Sequence, residues 1–130
     1  DVFVCQMDLL ASFASLLGQT YPDKVDSENT LDAFLGKSKK EVVQPYYYVQ
    51  FDNHATGYRG LRTSTHTFAV HATNGKIDET VLYDRTKDPY QMDNIAGQSP
   101  RLVRQFNKQL KAWLLHTNDS FAHYLETVTK

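Results

Sequence analysis

Thr80-Val-Leu-Tyr-Asp-Arg-Thr-Lys-Asp-Pro-Tyr-Gln-Met-Asp-Asn-Ile-Ala96 is the stretch on which the fold of this chain turns. Val81, Leu82 and Tyr83 form a short β-prone run. Asp84 to Asp88 bound a turn, and Pro89 sets the backbone at its exit. One helical turn carrying Met92 and Ile95 is expected next, pinning the link to a following helix.

Upstream, Tyr46-Tyr-Tyr-Val-Gln-Phe51, residues 58–63 and residues 66–72 are also β-prone. Asn74-Gly75 is the residue pair that a type I′ hairpin demands, so it should join 66–72 to 79–83. Ser64-Thr65 is short enough to turn the preceding hairpin, although neither residue favours positive φ. An antiparallel sheet over 46–83 follows. Downstream, Ser99-Pro100 is a cap followed by an N1 proline. Leu102, Val103, Phe106, Leu110, Trp113 and Leu114 then share one face of a helix reaching about His116. Arg101, Arg104, Lys108 and Lys111 fall on the other face. Asn118 is the expected stop, and 120–128 suggests a further short helix.

Before the sheet the period is helical. Leu9, Leu10, Phe13, Leu16 and Leu17 repeat at helical spacing over 6–17, with Gly18 as the stop. Val2-Phe3-Val4 reads as the end of a strand. Residues 19–29, with Pro22, read as a polar connection. Thr30 looks like the cap of a short helix over 31–35, stopped by Gly36. Lys37 to Glu41 is a charged loop. The fold class is therefore α+β: a small antiparallel sheet of about four strands packed against a C-terminal helix, preceded by a helical segment.

The totals exclude several function classes. The chain has 130 residues, 41% of them hydrophobic, and a formal net charge of −1. It can bury a core, and no bulk field draws it to nucleic acid or to a membrane surface. Apolar runs are too short for a spanning helix, and no signal-peptide pattern is visible, which leaves the compartment open. Tyr46, Tyr47 and Tyr48 with Arg59 and Arg62 mimic a base-stacking platform, but alternation turns Tyr47 away from its neighbours. Nucleic-acid binding is not expected.

No self-contained active site emerges. The five histidines (His54, His66, His71, His116, His123) form neither HxH nor HExxH, and one cysteine cannot build a structural zinc site. Cys5 lacks a nearby cation and reads as an inert buried thiol. Asp84, Asp88 and Asp93 cluster, but their spacing is not that of an EF-hand, and closing turns is the simpler role. Asp52-Asn53-His54, with Gly57 just beyond, connects two strands. It reads either as a plain polar connection or as a loop placed for substrate contact. The basic stripe 101–111 reads as a solvated face, with an acidic partner surface as the alternative.

Tyr58-Arg-Gly-Leu-Arg-Thr63, followed by Thr67-Phe68, resembles the "RG(V/L)RT" strand of sulfatases, and the opening stretch resembles their "LYD…DP(Y/E)(Q/E)xxN(L/I)" strand-turn. Gln6 to Gly18 is similar to the "vDllPTlldlaG" helix, with Ala11-Ser12 where Pro-Thr is usual. Thr30 to Gly36 and the helix ending at Trp113-Leu114 resemble further pieces, in the family's order.

The resemblance implies a large enzyme of the alkaline-phosphatase superfamily, hydrolysing sulfate esters with a formylglycine and a divalent metal, usually calcium. Cys5 lacks the C-x-(P/A)-x-R context, so this chain alone is expected to be inactive. Residues 1–44 would end the catalytic α/β domain, and 45–130 would be the C-terminal subdomain whose loops wall the substrate pocket. Asp52, Asn53, His54, Arg59 and Arg62 are the implied substrate contacts, suited to a sulfated sugar or aryl sulfate, with a structural ion pair as the equal alternative at Arg62. The implied partners are the parent's catalytic domain and a sulfated carbohydrate. A second copy packing on helix 6–17 is a further expectation, since its apolar face lacks a partner here. A periplasmic or secreted location would suit such a parent. The rival reading is a stand-alone α+β module docking an acidic protein partner through its helix stripe.

Overall fold

A computed structural model describes residues 8–20, 30–37, 46–53 and 55–129. The expected strand end Val2–Val4, Cys5, most of the 19–29 connection, the loop after Lys37, and His54 lie outside the described residues. The chain divides into two compact units, Asp1–Gln44 and Pro45–Lys130.

In the first unit, α1 spans Leu9–Leu16 and α2 spans Leu31–Phe34. Gly18 at φ +64° lets the chain turn off α1, with its N–H on Ser15 O and that of Gln19 on Ala14 O. A left-handed residue satisfies the last helical carbonyls in this way. Ser12, buried at 2% exposure, accepts from Thr30 N–H at 3.0 Å, and the two hydroxyls lie 3.1 Å apart. Thr30 thus ties α2 to α1. Ala11 is buried, whereas Leu10, Phe13, Leu16 and Leu17 are more than half exposed.

In the second unit, β1 (Tyr46–Asn53), β2 (Thr56–Arg62), β3 (His66–Thr73) and β4 (Lys76–Asp84) form an antiparallel meander in the order β1-β2-β3-β4. Asn74 and Gly75 adopt φ +50° and +76°, as a type I′ turn requires. The β2–β3 turn works without positive φ because the Thr63 hydroxyl accepts the N–H groups of Thr65 (3.3 Å) and His66 (2.9 Å). A side-chain oxygen substitutes for turn backbone there.

Helix α3, Pro100–His116, lies on one face of the sheet. Val103, Phe106, Leu110 and Leu114 meet Leu61, Phe68, Val70 and Leu82 in one buried cluster. Burying each such side chain contributes about 1.5–3 kcal/mol. Trp113 stacks on Tyr47 at 4.6 Å and 2°. Asn118 at φ +56° ends α3, with Asp119 N–H on Leu114 O. A 3-10 segment, Ser120–Thr129, returns Phe121 and Leu125 to the same core. It stands where a further short helix was expected.

Two local expectations are corrected. Residues 91–95 are not helical; the single turn is a 3-10 turn at Ala96–Gln98. Met92 is 85% exposed and pins nothing, whereas Ile95 packs on the core. The link is held instead by Asn94, whose Oδ1 accepts Leu82 N–H (3.0 Å) and Ala96 N–H (3.1 Å) while its Nδ2 donates to Thr80 O (3.1 Å). Ile95 N–H adds a bond to Leu82 O. Together these cap the free edge of β4, where unpaired backbone groups are otherwise exposed. Ser99 precedes α3 as expected but makes no side-chain cap bond; its carbonyl accepts Val103 N–H instead.

Candidate functional site

A meander of four strands places alternate connections at one end. The β1–β2 connection and the Asn74-Gly75 turn therefore adjoin. Gly75 N–H donates to Ala55 O (2.7 Å), and Asn74 N–H donates to the Thr56 hydroxyl (3.0 Å). The backbone of Asp52 and Asn53 leads β1 into this end.

On the face away from α3, the same end carries Tyr58, His71, Thr73, Asp78 and Glu79. Tyr58 and His71 are cross-strand partners with rings 4.5 Å apart. The Asp78 carboxylate bonds His71 Nδ1 and the Thr73 hydroxyl, both at 2.6 Å, and the Tyr58 hydroxyl donates to Glu79. Two adjacent residues on one strand ordinarily point to opposite faces. Here the register jumps, with His71 opposite Glu79 and Ala72 opposite Ile77. The bulge leaves Asp78 as the extra residue, so consecutive carboxylates can serve one face. Sequence reading missed this device, although the signal was present: Ile77 and Leu82 both pack on the core across an odd spacing. The Glu79 hydrogen bond, then burial, pushes the Tyr58 pKa up to about 12. The Thr73 and His71 hydrogen bonds hold the Asp78 carboxyl below its usual range.

The five expected substrate contacts do not form one cluster. Asp52 and Asn53 enter the connection just described, and His54 lies outside the described residues. Arg62 is exposed at the opposite end of β2, six residues from Thr56. At about 3.4 Å per residue that is roughly 20 Å.

Arg59 departs furthest from expectation. It is 1% exposed, beneath α3 and the 3-10 segment, with Nε 2.7 Å from Asp119 Oδ2 and its guanidinium 4.6 Å from the Phe121 ring centre. Its Nη1 also donates to Tyr58 O at 3.2 Å. A guanidinium so enclosed offers no surface to a ligand; its role is to hold the C-terminal segment to the sheet. The parity it shares with Leu61, fully buried, is the sequence signal for an inward side chain.

Two of the three aspartates of the strand-turn, Asp84 and Asp88, close turns with their side chains. Asp84 Oδ1 accepts Thr86 N–H (3.0 Å) and the Thr86 hydroxyl (2.5 Å), and Asp88 Oδ2 accepts Asp93 N–H (2.8 Å). They border a cleft of about 290 Å³ shared with Lys87, Ile95, Gln98 and Ser99. Among the described residues, no group of three or more His, Cys, Asp or Glu side chains converges to hold a metal. No described helix is long and apolar enough to cross a membrane. On α3, Arg101, Arg104 and Lys108 are exposed and Lys111 is half-buried.

The family described as N-sulphoglucosamine sulphohydrolase, C-terminal, matches residues 1–119. An N-acetylgalactosamine-6-O-sulfatase of Bacteroides thetaiotaomicron is 29% identical over 82% of this chain and 22% of its own length. An endo-4-O-sulfatase of the same organism is 23% identical over 92% of this chain and 27% of its own. This chain thus spans about a quarter of the curated relatives it matches. The crystal structure of the Bacteroides fragilis protein yidJ, assigned as a sulfatase, superposes with a TM-score of 0.74 at 53% identity. It covers 91% of this chain and 26% of the other. The meander, its covering helix and the ordered motifs are those of a sulfatase C-terminal region, and the chain belongs to the N-sulphoglucosamine sulphohydrolase C-terminal family.

Proposed function

We propose that this chain is the C-terminal part of a sulfuric ester hydrolase acting on a sulfated sugar or aryl sulfate. The observation that carries the reading is the family match across residues 1–119, which joins both compact units in one C-terminal region. In this reading residues 1–44 end the catalytic α/β domain and residues 45–130 are the subdomain that walls the substrate pocket. The parent supplies a formylglycine as nucleophile and calcium to bind the sulfate. This chain's share is positioning: the 52–54 connection, with Asp52, Asn53 and His54, presents polar groups to the substrate, anchored through Ala55 and Thr56 to the Asn74-Gly75 turn. The exposed Leu10, Phe13 and Leu16 of α1, with Leu17 just beyond it, pack on the rest of the parent's catalytic domain. In the isolated chain a second copy takes that place.

The test is hydrolysis of an aryl sulfate by the purified 130-residue chain with calcium, beside the full-length parent. The chain alone should give the buffer rate, while the parent turns over and loses kcat/KM on Asn53→Ala or His54→Ala. Turnover by the chain alone, or a parent gene lacking C-x-(P/A)-x-R upstream, overturns the reading.

A further inference from the structure

The Asn74-Gly75 turn carries a reactivity that its structural role does not use. It is the only Asn-Gly pair in the chain, and Asn74 is exposed. Glycine has no Cβ to keep the side chain of the preceding asparagine away from its nitrogen. The Gly75 nitrogen, its proton lost to solvent base, attacks the Asn74 side-chain carbonyl carbon. The new C–N bond closes a succinimide ring, and the side-chain nitrogen leaves as ammonia. Water then opens the ring at either carbonyl, giving aspartate or an isoaspartate whose main chain is longer by one CH2. Water is consumed and ammonia released, with no change of oxidation state.

Three contacts oppose the first step in the folded chain. Gly75 N–H donates to Ala55 O at 2.7 Å, so losing that proton also costs a hydrogen bond. Asn74 N–H donates to the Thr56 hydroxyl at 3.0 Å, and the two bonds brace the pair at φ +50° and +76°. Ring closure needs rotation away from that turn geometry. The Tyr124 ring also stands against Gly75, close enough that a Cβ there would lie 2.8 Å from Cε1. Two of the three contacts come from the β1–β2 connection. The Gly75 nitrogen is therefore freed when that connection opens from the turn, a local event that costs less than global unfolding.

We infer that Asn74 is a latent deamidation site, guarded by Ala55, Thr56 and Tyr124, whose conversion is gated by opening of the β1–β2 connection. An isoaspartate at this position lengthens a two-residue turn and misplaces Gly75 N–H from Ala55 O, so the brace, once lost, does not re-form. This chemistry is independent of the sulfatase reading.

The experiment incubates the 130-residue chain at mildly alkaline pH, native and in guanidinium chloride. Conversion at residue 74 is followed by mass-spectrometric peptide mapping and by labelling with an isoaspartyl methyltransferase. The native chain should convert roughly tenfold more slowly than the denatured one, or slower still, because opening must come first. Thr56→Ala removes one bond of the brace and should convert roughly fivefold faster than the unsubstituted native chain, whereas Thr56→Ser keeps its rate. Unchanged amide shifts at Phe106 and Leu110 establish that the core survives in each variant. Equal rates for the native and denatured unsubstituted chain overturn the guard, and that comparison needs no variant. An unaltered rate in folded Thr56→Ala overturns gating by the connection. Absence of conversion at residue 74 in the denatured chain overturns the site itself.

Discussion

Arg59 and Asp119 form an ion pair across 60 positions of sequence, Nε to Oδ2 at 2.7 Å, with the arginine 1% exposed and the aspartate 15%. Asp119 also accepts Phe121 N–H on its other oxygen, so one carboxylate both neutralises a buried cation and starts the C-terminal 3-10 segment. Removing one partner of such a pair strands the other charge, which costs about 3–5 kcal/mol. Asp119→Ala should therefore destabilise by about 3 kcal/mol or more in urea unfolding. The double variant Arg59→Met/Asp119→Ala should cost less than the single one. A double variant at least as damaged as Asp119→Ala would show that packing, not charge, dominates there.

Gly75 and Tyr124 meet at the other hairpin. Gly75 sits at φ +76°, and a Cβ placed there would lie 2.8 Å from Tyr124 Cε1. Gly75→Ala combines left-handed strain with that clash, for about 2 kcal/mol in total. Adding Tyr124→Ala should relieve only the clash, so the pair should fall short of additive in chemical denaturation. Strict additivity would mean that the ring moves aside freely.

Asn94 makes three hydrogen bonds that the motif itself does not reveal, to Leu82 N–H, Ala96 N–H and Thr80 O. Asn94→Ala uncovers the β4 edge and should cost about 1–2 kcal/mol. Amide exchange should accelerate at Leu82 and Ala96, with little change on β2. Uniform acceleration across the sheet would indicate global destabilisation instead.

Tyr58 and Asp78 set opposite limits of pH. The Tyr58 pKa is raised in the folded chain from 10.0 to about 12, so its contribution is full below pH 10.0 and is lost as pH rises towards 12. Asp78 is lowered from 3.8, so its contribution is full above that pH and is lost as pH falls below it. Thermal unfolding of Tyr58→Phe should show a weaker fall of Tm between pH 10 and 12 than the parent sequence. Asp78→Asn should flatten the fall of Tm below pH 3.8. Identical profiles for variant and parent sequence would remove either group from the pH response.

The strand order, the Asn74-Gly75 turn, the span of α3 and the stop at Asn118 were all legible because each rests on local chemistry. A positive-φ pair, an apolar stripe at helical spacing and a proline at N1 act within a few residues of chain. The same locality explains the misses around the candidate site. Arg59 looks like an available donor until its partner, sixty positions away, is brought against it. Asp78 and Glu79 look like opposite-facing carboxylates until the bulge against β3 turns both to one side.

The order of residues from Thr80 to Ala96 was sufficient by itself to mark the strand and the aspartate-closed turn, and with the motifs at 6–18, 30–36 and 58–63 it marked the family, since these depend on residue type and spacing. What packing alone decided was the work each side chain does. Met92 was left in solvent, Asn94 was given the β4 edge, and Arg59 was buried as a structural cation. Arg62 was set roughly 20 Å along β2 from the connection with which it had been grouped. The physical reason is that burial and pairing are properties of surfaces brought together, and the surfaces that meet at Arg59, Asn94 and Asp78 belong to different elements of the chain.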